Sequence, residues 1–118
     1  MKKLSVIWLA LALCGCVDLG RVGTDPQLES VYFDGHKGET ESCLYSAALQ
    51  QRFSLEYSDT LSGGMVRYNL TDPDDELVAW VDIAPFNRKQ TNADFYYARN
   101  APDVKSAVFA MIAQCKRD

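Results

Sequence analysis

This chain is poor in the residues that carry most chemistry. Its 118 residues hold one histidine and four cysteines. The lone histidine, His36, sits in the polar, glycine-rich "FDGHKGE" and is expected to be solvent-exposed. Cys14-Gly15-Cys16 has no second ligand pair and His36 lies twenty residues on, so a metal site is not expected, and no other cofactor is implied. "LSGGM" is not a nucleophile elbow, and no Ser or Cys motif stands beside His36. An enzyme needs a base, a nucleophile or a metal set, and the sequence offers none in a recognisable form. Long apolar runs are also missing. Past residue 15 no stretch approaches the roughly twenty apolar residues that a membrane-spanning helix needs. Basic residues are outnumbered, twelve against sixteen acidic. An acidic chain has little long-range attraction for nucleic acid or an anionic lipid surface.

What is present begins with "MKKLSVIWLALALCGC". Lys2 and Lys3 form a positive n-region, and Leu4 to Leu13 is an almost wholly apolar h-region of about ten residues. "LCGC", Leu13 to Cys16, resembles the lipobox of bacterial lipoproteins: an aliphatic residue, a tolerant position, a small residue, then Cys. The resemblance covers only about the first twenty residues. It implies a signal peptide at 1–15, cleavage after Gly15, and Cys16 carrying diacylglycerol and an N-terminal acyl chain such as palmitate. Cys14 departs from the commoner small or aliphatic residue and would leave with the cleaved peptide. Several acyl chains at about 0.8 kcal/mol per buried CH₂ make a lasting anchor, so the membrane is an expected partner through lipid alone. Asp directly after the lipidated Cys commonly retains lipoproteins in the inner membrane. Here that residue is Val17, which by the same resemblance implies the outer membrane, facing the periplasm.

Loss of Lys2 and Lys3 takes the twelve basic residues to ten against sixteen acidic, and the net charge from −4 to −6. With Cys14 discarded and Cys16 acylated, Cys43 and Cys115 remain. In an oxidising compartment such a pair forms a disulfide. The alternative is a reactive thiol, for example Cys43 beside His36.

Residues 16–29 read as a tether and 30–118 as one small domain. The element order expected is β-α-β-β-β-β-α. "SVYF" is a short strand and "DGHKGETES" a loop. A helix starts near Glu41, capped by Thr40 or Ser42, with Leu44, Ala47, Ala48 and Gln51 on one face. "FSLEY", "MVRYNL", "LVAWVDI" and "ADFYYAR" alternate with period two. Between the second and third of these, "TDPDDE" gathers four carboxylates but lacks the register of a calcium loop, so it reads as a solvated turn. The final helix has Asn100 as cap, Pro102 in its first turn, and a stripe of Val104, Ala107, Val108, Met111, Ile112 and Cys115. The fold class expected is α+β: an antiparallel sheet of four to five strands with both helices on one face. The pattern resembles helix-grip and similar two-layer sheets, a likeness that carries no function.

If the helices cover the face of Leu77, Ala79 and Val81, then Trp80 and Asp82 point the other way, where Arg67 and Tyr96 could join them. Trp, Tyr and Arg are enriched at contact hot spots. Trp80 could instead pack under a loop such as Ser30 to Gly38. The reading favoured is a lipid-anchored, non-enzymatic domain that binds an envelope protein or a cell-wall component. The alternative is a small envelope hydrolase or a hydrolase inhibitor.

The processing assignment has a direct check. Cys16→Ser should abolish metabolic lipid labelling and leave an uncleaved precursor, whereas Cys14→Ser should change neither. Labelling that survives Cys16→Ser would remove the lipobox assignment.

Overall fold

The structure, a computed structural model, describes residues 22–23 and 25–116. The expected signal peptide, 1–15, and the expected lipidation site, Cys16, therefore lie outside the described residues. The elements are β1 (Gln27–Asp34), α1 (Lys37–Gln50), β2 (Ser54–Thr60), a 3₁₀ turn (Ser62–Gly64), β3 (Val66–Thr71), β4 (Leu77–Pro85), β5 (Gln90–Tyr97) and α2 (Pro102–Cys115). This is the α+β architecture that the alternating runs and the two helical stretches imply. The five strands form one sheet in the order β1-β5-β4-β3-β2, with every pairing antiparallel. β2 to β5 is a meander. α1 carries the chain from β1 at one edge to β2 at the other.

Several boundaries differ from those expected, each for a local reason. β1 starts at Gln27, three residues inside the stretch read as tether, because Gln27, Leu28 and Glu29 pair with Tyr97, Tyr96 and Phe95. α1 starts at Lys37, not near Glu41, and neither Thr40 nor Ser42 caps it. The backbone N–H of His36 donates to the Glu39 carboxylate at 2.8 Å, so the helix closes a turn earlier. Thr40 faces inward and is buried. Gly35 makes the preceding turn at φ +120°, and a Cβ there would lie 2.9 Å from Glu39 Oε1. The cap of α2 is Ala101 rather than Asn100, because Pro102 occupies the first helical position.

The turns are built by their own residues. The Asp72 carboxylate accepts the backbone N–H groups of Asp74 and Glu76, each at 2.9 Å, and Asp75 takes φ +66°. The acidic cluster is thereby a self-capped turn. Gly63 and Gly64 supply the positive φ angles between β2 and β3.

The core lies between one sheet face and the helices. Val31, Phe33, Ala93, Phe95, Ala79, Val81, Ile83, Leu70 and Leu55 meet Leu44, Ala47 and Ala48 of α1 and Val104, Val108 and Met111 of α2. On α2, Val104, Ala107, Val108, Met111 and Cys115 are buried and Ile112 half-buried, one helical stripe. At the far edge the Tyr68 hydroxyl, pushed up to about 12 first by burial and then by its hydrogen bond to Glu41, stays neutral and ties β3 to α1.

Cys43 and Cys115 are disulfide-bonded, with Cα atoms 5.8 Å apart. The reactive-thiol alternative is thereby corrected, since Cys43 is spent on Cys115. Because α1 begins earlier than expected, Cys43 sits at the middle of that helix, so the bond ties mid-α1 to the end of α2. Replacing both cysteines by Ser frees a sequence separation of 72 residues. Under the chain-entropy model this should cost about 4 kcal/mol, read as a lower urea midpoint against the oxidised protein.

Candidate functional site: the open sheet face

Period two sends alternate side chains of β4 to opposite faces. Ala79, Val81 and Ile83 go under the helices, so Trp80, Asp82 and Ala84 line the other face. Strand register then assembles rows across that face. One row runs Leu28, Tyr96, Trp80, Asn69, Glu56 from edge to edge. The next runs Ser30, Asp94, Asp82, Arg67, Asp59. A shorter row places Tyr32 beside Asn92 and Ala84.

All four sequence-predicted face residues, Arg67, Trp80, Asp82 and Tyr96, lie in the first two rows. Their roles are unequal. Asp82 is only 4% exposed and is not a contact residue. Arg67 Nε donates to Asp82 Oδ1 at 2.7 Å and Nη2 donates to Oδ2 at 2.8 Å, a bidentate fork. The Asp82 carboxylate beside it holds the Arg67 pKa above its ordinary value, with burial opposing. Two of the five guanidinium N–H donors are thus used to fix its plane. The guanidinium carbon lies 5.2 Å from the Trp80 ring centroid, a cation–π distance. Trp80 is half-buried and stands opposite Tyr96, also half-buried. Burial, and then the charges of Asp94 and Asp82, raise the Tyr96 pKa, so its hydroxyl remains a neutral donor and acceptor.

The face has further members that strand alternation alone did not single out. The Ser30 hydroxyl donates to Asp94 at 2.5 Å, and Asn92 Nδ2 donates to Ser30 Oγ at 3.3 Å and to the Val31 carbonyl at 3.2 Å. Tyr32 meets Phe86 edge-to-face, centroids 4.7 Å apart. Their signal was present, since Leu28, Ser30 and Tyr32 alternate in "LESVYF". It became readable only once β1 was seen to pair with β5.

His36 is exposed at the start of α1. Among the described residues no group of three or more His, Cys, Asp or Glu side chains could hold a metal ion. One shallow recess lies at the β4–β5 turn, lined by Asp34, Asn87, Arg88, Lys89 and Gln90. Another lies over the disulfide, lined by Gly38, Glu39, Ser42, Cys43, Ser46 and Gln114. No described helix is long and apolar enough to cross a membrane.

No family model matches the chain, and no curated protein matches it. A solved structure of a conserved protein from Geobacillus kaustophilus is similar at 11% identity and TM-score 0.47, over 75% of this chain and 91% of that one.

The Arg67–Asp82 pair is asymmetric: their side chains are 32% and 6% exposed. Arg67→Ala strands a buried carboxylate, whereas Asp82→Ala leaves a guanidinium that can reach water. Arg67→Ala should therefore be the more destabilising, by about 3 kcal/mol against about 1.5 for Asp82→Ala, read from denaturant midpoints.

Proposed function

We propose that this chain is a lipid-anchored lipoprotein of a bacterial outer membrane, and that its periplasmic domain binds an envelope protein or a cell-wall component through the open sheet face. The observation that carries the binding reading is the Arg67–Trp80–Tyr96 constellation, held by the buried Asp82 carboxylate on the face away from the helices. A guanidinium whose plane is already set, stacked on an indole beside a neutral phenol, gives a partner a rigid surface with little ordering cost. These residue types dominate contact energies. With Asp82 buried and paired to Arg67, the two long rows still carry Glu56, Asp59 and Asp94, so a partner presenting cationic groups complements them. The lipidation half rests on "LCGC" and the charged, apolar leader before it. The disulfide between Cys43 and Cys115 agrees with export to an oxidising compartment. A domain tied to the membrane by its amino terminus, with an aromatic face and no charge attraction for anionic lipid, suits recruitment of a partner to the envelope.

The test is chemical crosslinking in intact envelopes followed by capture, comparing wild type with Trp80→Ala. Trp80→Ala should weaken capture by more than about 1 kcal/mol. Its stability cost should stay below the roughly 3–5 kcal/mol of a fully buried aromatic, because the indole is only half-buried. Unchanged capture together with a large fall in melting temperature would reduce Trp80 to a packing residue.

A further inference from the structure

The two edges of the sheet are built differently. An unpaired edge offers a row of N–H and C=O groups to any extended chain, and proteins blunt such edges with bulges, charges or proline. β2 is blunted by an irregularity in its ladder: its register with β3 shifts between Tyr57 and Asp59. β1 is not. Its eight residues, Gln27–Asp34, pair with β5 in unbroken register, and "QLESVYFD" contains no Pro; its two acids, Glu29 and Asp34, equal those of β2 in number, so the unbroken ladder is what sets the two edges apart. No described strand pairs with its outer side. Large exposed apolar side chains also gather here on the open face. Leu28 is 50% exposed, Tyr32 47%, and Phe86, which packs on Tyr32, 57%.

We propose that the outer edge of β1 is a homotypic docking edge, along which two copies of this chain pair antiparallel about a two-fold axis at Ser30. The side-chain pattern is self-complementary in that register. A half-turn about Ser30, perpendicular to the sheet, sets Leu28 of each copy opposite Tyr32 of the other. On the helix-covered face the same rotation sets Glu29 opposite Val31 and Gln27 opposite Phe33. No carboxylate meets a carboxylate. A register one residue away, centred on Val31, would put Leu28 opposite Asp34 and lose both apolar pairs. Cross-strand apolar pairs stabilise a ladder and like charges oppose it, so the pattern selects Ser30. A surface that matches itself under a two-fold rotation fits a second copy better than a foreign strand.

The chain before β1 points the same way. Ten residues, 17–26, separate Cys16 from Gln27, a reach of at most about 35 Å. If Cys16 is lipidated as proposed above, every copy is held to one surface, which raises the effective concentration of the edge. Pairing would fuse two five-stranded sheets, so that the row Leu28, Tyr96, Trp80 continues into Tyr32 of the second copy.

The test uses the full chain in its own membrane. Ser30→Cys places a thiol on the axis, where cross-strand Cβ atoms are roughly 4.5–5.5 Å apart, within reach of a disulfide. Non-reducing gels of intact envelopes should show a disulfide-linked dimer for Ser30→Cys and little for Glu56→Cys on the other edge. In detergent, sedimentation equilibrium should give a dimer that the double variant Leu28→Lys, Tyr32→Lys converts to monomer, with its thermal melt retained. A monomer throughout, equal crosslinking at both edges, or a dimer that survives the double variant would overturn the proposal. So would β1 amides protected from exchange in a monomer, which would make the chain's own preceding segment the occupant. Cys16→Ser protein in detergent at high concentration separates the two readings: dimerisation without the lipid keeps the edge whether or not lipidation fails.

Discussion

The structure depends on the burial of β4 by both of its faces. Val78, Ala79, Val81, Asp82 and Ile83 are all buried, although only the side of Ala79, Val81 and Ile83 faces the helices. β4 is the middle strand of five, so its backbone is satisfied on both sides by β3 and β5. Its alternation is therefore not free to slip. A one-residue shift would put Trp80 and Asp82 beneath the helices and expel Val81 and Ile83. The buried Asp82 adds a polar lock, since its carboxylate finds its guanidinium only when Arg67 is its cross-strand partner.

Much of the rest follows from covering one side only. α1 brings the short side chains Ala47 and Ala48 to the core over the sheet, and the cystine joins the two helices. The helices therefore stay over the aliphatic face, and the other side of the sheet is left to the rows of Trp80 and Arg67. The domain holds its polar chemistry on that open side as hydrogen-bonded pairs, Arg67 with Asp82 and Ser30 with Asp94. Such pairs keep a flat surface ordered without an overlying layer.

The edges follow from the same topology. Because α1 crosses from β1 to β2, the first strand can occupy the edge beside β5 instead of extending the meander. It lies next to the most aromatic strand, so Leu28 and Tyr32 extend the aromatic surface to the rim.

Local chemistry was legible wherever it repeats along the chain. The stripe from Val104 to Cys115, the alternation in "LVAWVDI" and the turn chemistry of Asp72 need only backbone periodicity and hydrogen bonding between neighbours. Helix starts were less legible, because Glu39 reaching back to His36 outweighs the glycine at 38, and Pro102 moves the cap from Asn100 to Ala101. The sequence by itself determined which side chains share a face within each strand. Only the tertiary structure decided which strands are neighbours, and so that Arg67 meets Asp82, that Trp80 meets Tyr96, and that β1 is an edge. The physical reason is that periodicity is a property of one segment. Register and strand order are chosen jointly by all the segments that must bury one core.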